Sequence, residues 1–208
     1  YVHGLASLAA LREKIPGFEF GATAGLSLGE FTAHAAAGTF DFATGLRLVE
    51  RRANAMQQAC EETEGGMAAV IGGEENKIRE LASAADVDVA NLNSPGQIVL
   101  SGEAAKVALA VSLAREYGAR KAVELQVAGA FHSRLMESAY QSLSVALAET
   151  PMLPPRVPVV CNVDAQTVED AEVIRRALAD QVTGSVRWTE SIEYLLDHLH
   201  CTEFIELG

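Results

Sequence analysis

Gly25-x-Ser27-x-Gly29 places a hydroxyl between two glycines, after the apolar run Phe18–Ala24 and before the helical pattern Glu30–Ala37. A sharp turn from strand to helix calls for small residues two positions either side of a nucleophile. It lifts the hydroxyl above the sheet and sets the next N–H at a helix N-terminus, where it can stabilise an oxyanion. Ser27 is therefore the candidate nucleophile and the Leu28 N–H the candidate oxyanion donor. A serine needs a base, and there are five histidines. His3 lies near the start, His34 within the helix after the turn, and His198 and His200 on the last helical segment. His132 alone follows a strand and a Gly129-Ala130 loop and opens a helix. Strand-to-helix junctions of a parallel sheet gather at its carboxyl edge, so Ser27 and His132 can meet there.

A third candidate lies on the helix expected over residues 41–60. Its apolar stripe reads Phe42, Leu46, Val49, Ala53, Met56 and Cys60, at 4-3-4-3-4 spacing. Arg47 and Arg51 fall on the polar side beside Glu50. Arg52 lines up with Leu48 and Met56, on the margin of the stripe. A guanidinium there needs an anion. Helix geometry leaves a structural ion pair and a bidentate clamp on a substrate carboxylate equally open.

The elements that must position these residues follow from the rest of the pattern. Ala6–Lys14 is helical and ends at Pro16-Gly17. From Gly65 the order is strand (Met67–Ile71), helix (Glu74–Ala85), strand (Val87–Leu92), the turn Asn93-Ser94-Pro95-Gly96, strand (Gln97–Ser101), helix (Ala104–Tyr117) and strand (Lys121–Val127). This β-α-β-β-α-β order is that of a ferredoxin-like unit. It divides the chain into a small subdomain at 65–127 and a discontinuous α/β core at 1–64 and 128–208. In the core, a helix from His132 to about Glu149, a strand at Val159–Val163, helices near 168–182 and 189–200 and a final strand Phe204–Leu207 imply a parallel sheet covered on both faces.

The 208 residues carry 28 acidic and 16 basic groups, a formal charge of −12, with 49% hydrophobic residues. That balance is globular and disfavours non-specific nucleic-acid binding. Cys60, Cys161 and Cys201 lack metal-ligand spacing and read as thiols of a reducing, cytoplasmic compartment. No apolar run reaches the ~18 residues of a membrane span. The chain opens at Tyr1 rather than Met and stops just after Leu207, and both ends read as cut.

Several segments together resemble the malonyl-CoA:acyl carrier protein transacylases and the related acyltransferase domains of fatty-acid and polyketide synthases. Gly25-Leu26-Ser27-Leu28-Gly29-Glu30 is similar to the family's serine motif, which most often has His where Leu26 stands. Leu48-Val49-Glu50-Arg51-Arg52-x-x-x-Met56-Gln57 resembles the segment whose arginine pairs with the malonyl carboxylate, and this falls on Arg52. Asn93-Ser94-Pro95-Gly96-Gln97 resembles a turn beside the cleft, and Gly129-Ala130-Phe131-His132-Ser133 the catalytic histidine segment in its malonyl-selective form. Val159–Asp164 and Val186-Arg187-Trp188-Thr189 also match. The resemblance implies an α/β-hydrolase-like core with an inserted ferredoxin-like subdomain. It implies a Ser27–His132 dyad whose histidine is oriented by a backbone carbonyl, expected near Asp197–His200, and substrate contacts at Arg52, Asn93 and Phe131. It implies malonyl transfer from coenzyme A to the phosphopantetheine thiol of an acyl carrier protein through a malonyl-serine, in fatty-acid synthesis or a polyketide synthase, with no bound cofactor or metal and no membrane partner. The family's glycine-glutamine-rich loop would precede Tyr1.

A serine esterase or thioesterase is the rival reading, and a non-catalytic carrier-binding domain a second. A hydrolase triad usually runs Ser, acid, His. Asp86, Asp88 and Glu124 lie between Ser27 and His132 but in the small subdomain, a poor place for a triad acid. Coenzyme A and carrier proteins are anionic whereas the chain is acidic, so a local positive rim is expected on the cleft, with Arg134 and Arg187 as its candidates.

Overall fold

The structure is a computed structural model describing residues 1–208. It opens with α1 (Val2–Lys14), β1 (Thr23–Ala24), α2 (Leu28–Ala37) and α3 (Phe42–Glu62). The small unit follows as β2 (Gly65–Ile71), α4 (Glu75–Ala84), β3 (Asp88–Ser94), β4 (Gln97–Glu103), α5 (Ala104–Leu113) and β5 (Lys121–Glu124). The chain then returns through a 3-10 turn (Arg134–Met136) into α6 (Glu137–Ala148), β6 (Val159–Val160), α7 (Ala171–Asp180) and α8 (Trp188–Asp197).

The four strands of the small unit form an antiparallel sheet in the order β3-β4-β2-β5, the order a split β-α-β-β-α-β unit requires. Apolar residues of β2 and β4, among them Ala68, Val70, Ile98 and Leu100, bury one face under α4 and α5. A separate cluster joins α2, α3, α6 and α7 through Phe31, Leu48, Met56, Leu143, Ile174 and Leu178.

The parallel sheet is smaller than expected. β1 and β6 pair over two residues each, Thr23 with Val159 and Ala24 with Val160. Phe204–Leu207 is not a strand: residues 202–208 form no backbone bond to β6, and a strand exists only through a paired neighbour. After Val160 the chain turns, with Cys161 N–H donating to Gln166 O and Ala165 N–H to Cys161 O. Asn162 is thereby left at the carboxyl end of the strand.

The α3 stripe is rotated from the one read in the sequence. Its buried residues are Gly45, Leu48, Arg52, Ala55, Met56 and Ala59, while Phe42, Leu46 and Ala53 are exposed. Both stripes have helical spacing. The observed one holds fewer large side chains, but it is the one that α6 covers. The rotation moves Arg52 from the margin of the buried face to its middle. Asp41 caps the helix, its Oδ1 accepting from Thr44 N–H at 2.7 Å. No helix is long and apolar enough to cross a membrane.

Candidate active site

β1 delivers the chain to Ser27, and α2 begins one residue later. Between them the backbone turns so tightly that a Cβ on Gly25 would stand 2.1 Å from Gly29 backbone atoms. The glycine requirement thus falls on Gly25; a Cβ on Gly29 meets nothing within 4 Å. Ser27 adopts φ 54, ψ −108, a conformation that costs a non-glycine residue on the order of 1–3 kcal/mol. In return the hydroxyl points off the helix end. The Leu28 N–H, the first of the helix, makes no hydrogen bond within the protein.

Ser27 and His132, 105 positions apart, are in contact: Ser27 Oγ stands 2.8 Å from His132 Nε2. The other ring nitrogen, Nδ1, lies 2.6 Å from the carbonyl oxygen of Gln181. A carbonyl can only accept, so the proton sits on Nδ1, and Nε2 is left as acceptor for the serine hydroxyl. The orienting carbonyl is therefore at the C-terminal end of α7, not near Asp197–His200. The region 197–200 ends α8 instead, where His198 stacks on Tyr194. No carboxylate contacts His132. Asp86 and Asp88 pair with Arg134, and Glu124 lies on β5. The acid of a hydrolase triad has no counterpart here.

Burial holds the His132 imidazole down at about 4, and the Arg52 charge adds to that, against the backbone groups of Gln181 and Gly184. At neutral pH the ring is an unprotonated base. Arg52 is 6% exposed. Its Nη2 donates to Ser27 Oγ at 2.7 Å and to Gln181 Oε1 at 3.2 Å, and the guanidinium lies 5.7 Å over the Phe31 ring. Burial lowers it to about 10, offset in part by the Glu30 charge, so it remains a cation. Its Nε is buried without a partner. A buried cation with an unfilled donor beside a nucleophile suits an incoming carboxylate.

Glu30, one turn beyond Ser27, lies beneath the site. Its Oε2 accepts from Gln181 Nε2 at 2.8 Å and from Asn162 N–H at 3.2 Å. Burial raises the carboxyl to about 7 against those bonds. Gln181 also donates from Nε2 to Ser27 O at 3.2 Å. One glutamine thus touches His132, Arg52, Ser27 and Glu30, and the sequence reading gave it no role. Its only signal was a polar residue closing an amphipathic helix. Asn162 was legible only as part of a matching segment.

The remaining expected residues lie further out. Phe131, next to His132, is half-buried and packs against both the core cluster and the Met67–Ala90–Val99 cluster of the small sheet. Asn93, on β3, makes no hydrogen bond to Ser27, His132 or Arg52, and its Oδ1 is buried without a partner. Arg134 and Arg187 are not free cations. Arg134 binds Asp88 through Nε and Nη2 and Asp86 through Nη1. Arg187 binds Glu190 and the carbonyls of Val163 and Asp164. The positive rim expected at these two positions is neutralised by their acidic partners.

The chain is similar to known proteins over nearly its whole length. A family described as acyl transferase domain matches residues 5–207. A malonyl CoA-acyl carrier protein transacylase of Salmonella typhimurium is 40% identical over 185 residues, which is 85% of this chain and 60% of that protein. The polyketide biosynthesis protein ThaF of Burkholderia thailandensis is 39% identical over the whole chain, which spans 18% of its length. Among solved structures, an acyl-carrier-protein S-malonyltransferase of Burkholderia pseudomallei superposes with a TM-score of 0.93 at 36% identity, covering 99% of this chain and 68% of that one. A malonyl-transacylase in complex with its type II polyketide-synthase acyl-carrier protein gives 0.88 at 38% identity, covering 94% and 64%. The chain spans about three fifths of the Salmonella relative and less than a fifth of ThaF. The fold, the serine turn and nearly the full length of the sequence lead to one assignment, and the chain belongs to the acyl transferase domain family.

Proposed function

We propose that the protein transfers a malonyl group from coenzyme A to the phosphopantetheine thiol of an acyl carrier protein through a malonyl ester on Ser27. One observation carries the reading: a single serine oxygen lies within hydrogen-bond reach of both a neutral imidazole nitrogen and a buried guanidinium.

His132 Nε2 takes the Ser27 proton as Oγ attacks the thioester carbonyl carbon. The C=O electrons move onto oxygen, and the Leu28 N–H stabilises that oxyanion, a contact typically worth ~3–4 kcal/mol of barrier. The tetrahedral adduct collapses with cleavage of the C–S bond, and the imidazolium returns its proton to the departing thiolate of coenzyme A. The carrier thiol then gives its proton to His132 and attacks the ester carbonyl, and the proton passes back to Ser27 as the C–O bond breaks. Arg52 exchanges its contact with Ser27 for the malonyl carboxylate, so an acyl group carrying a free carboxylate is held where one without it is not. Phe131 and Asn93 line the approach on this reading. The chemistry draws on these side chains and the substrate's own thiols, without a resident cofactor.

The segment 65–127 is on this reading a ferredoxin-like subdomain inserted in a discontinuous core, 1–64 and 128–208, and its separate buried cluster supports that division. Fatty-acid synthesis in the cytoplasm is the setting we assign. The relatives include polyketide proteins as well. The test is transfer of labelled malonyl from malonyl-CoA to holo carrier protein. We expect label on the carrier thiol, with Ser27→Ala inactive. Release of free malonate at the same rate with and without carrier protein would overturn transfer in favour of hydrolysis.

A further inference from the structure

The strained backbone of Ser27 has to be held from outside its own helix. On the helix side, Gly29 N–H donates to Leu26 O at 2.8 Å and Glu30 N–H to Ser27 O at 3.1 Å. On the other side, the Ser27 N–H and the Gly25 carbonyl face the end of β6, and one side chain meets both. Asn162 Oδ1 accepts from Ser27 N–H at 2.6 Å, and Asn162 Nδ2 donates to Gly25 O at 2.8 Å. Only one orientation of the amide satisfies both groups, since the first can only donate and the second can only accept. The carboxamide acts as a strand neighbour would, at a point where β6 has already turned away.

Asn162 is itself fixed. It is fully buried. Its N–H donates to Glu30 Oε2 at 3.2 Å, and its carbonyl accepts from Arg187 N–H at 2.9 Å. The splint is thus tied to α2 on one side and to the start of α8 on the other.

We propose that Asn162 is a positioning residue for acyl transfer: its carboxamide bridges Gly25 and Ser27 and holds the turn that aims Ser27 Oγ at His132 and the Leu28 N–H at the oxyanion. The proposal rests on the reading of Ser27 as the acylated nucleophile. Asn162 makes no hydrogen bond to the Ser27 hydroxyl, to His132 or to Arg52. Arg52 is held separately, by Gln181 Oε1. The amide therefore governs the chemical step and leaves the grip on the malonyl carboxylate untouched.

Asn162→Ala leaves the Ser27 N–H and the Gly25 carbonyl without partners, and the turn relaxes. A displacement of ~1 Å at a reacting atom costs on the order of 100-fold in rate. We expect kcat for acylation by malonyl-CoA to fall about that much, with KM held within about threefold because the Arg52 contact is untouched. Asn162→Asp keeps the shape and the acceptor toward Ser27 but, ionised, loses the donor toward Gly25, so an intermediate loss of about tenfold in kcat is expected. This near-isosteric variant decides the matter if the alanine variant does not fold. A fluorophosphonate probe, which needs only a reactive serine, should label Ser27 more slowly in both variants by the same factors. Folded variants whose kcat and probe labelling stay within threefold of the parent would overturn the proposal. So would a loss confined to KM or to melting temperature. If the parent protein forms no malonyl-serine, the acyl-transfer reading fails by itself, and the fluorophosphonate rates still decide the role of Asn162.

Discussion

Arg52 donates to Ser27 Oγ and, on the proposed reading, exchanges that contact for the malonyl carboxylate. Removing it should therefore separate substrates. With Arg52→Ala, kcat/KM for malonyl-CoA is expected to fall about 100-fold or more, as for loss of one partner of a buried charged pair. Acetyl-CoA offers no carboxylate and should lose far less. Equal losses with both acyl groups would remove Arg52 from selectivity. The state of His132 gives a second residue-scale prediction. Burial and Arg52 hold the imidazole at about 4, and only the unprotonated ring accepts the serine proton. The acylation kcat/KM, which reports the free enzyme, should stay flat from pH 7 to pH 5.5, without the half-loss near 6.5 of an ordinary histidine. A midpoint near 6.5 would contradict the burial account. Ser27 and His132 were legible because local glycine and loop spacing advertised a turn at each. Gln181 and Asn162 were not, because their roles come from what folding brings within hydrogen-bond reach, across more than 130 residues from Ser27.

Elements were legible in type and order and less so in facing and extent. The rotated stripe of α3 shows why. Counting large apolar residues selects Phe42 and Leu46, but the face that packs is chosen by its neighbours: Ala55 and Ala59 let the partner helix approach, and Gly45 makes room for Tyr1 and Phe40. Phe204–Leu207 has strand-forming residues and no ladder, since pairing is a tertiary property. One contact between elements bears on the site. Asp88 on β3 accepts from the Arg134 backbone N–H at 2.8 Å and from its guanidinium. It thereby ties the small sheet to the turn that carries His132, a residue at φ 56. Asp88→Ala should cost roughly 1 kcal/mol of stability, the scale of a partly exposed ion pair with a backbone cap. It should also speed amide hydrogen exchange over residues 130–136 more than in α6. Unchanged exchange there would mean that the turn is held by its own bonds, such as Ser133 Oγ to Ala130 O.

At the scale of the whole molecule, three buried titratable groups oppose one another. Burial holds His34 at about 3 and His132 at about 4, and raises Glu30 to about 7. Unfolded histidines bind protons below 6.5 while these two do not, so their contribution to stability falls as pH drops from 6.5 toward 4. Glu30 has the opposite sign: the folded carboxyl keeps its proton between about 4.5 and 7, where the unfolded one has lost it, so its contribution falls as pH rises through that window. Two histidines outweigh one carboxyl, and unfolding should take up about one net proton per chain from these groups between pH 4.5 and 6.5. The urea midpoint should therefore decline from pH 6.5 to 5. A flat or rising midpoint would show that burial does not hold these rings neutral. The ferredoxin-like strand order was readable from element order because a split unit allows few connections. The net charge of −12 was readable too, but its placement was not: the Arg187–Glu190 pair lies within one helix turn, whereas Arg134 is paired by Asp86 and Asp88 of the small unit, which only folding brings to it.

The central claim is that one serine oxygen becomes acylated because a distant imidazole and a buried guanidinium converge on it. Rapid mixing with malonyl-CoA, acid quench and peptide mass mapping tests it most directly. The account predicts a burst of a single malonyl ester, on the peptide carrying Ser27, that is lost with His132→Ala and reversed by added coenzyme A. A malonyl group on another residue, or turnover with no ester on Ser27, would contradict it.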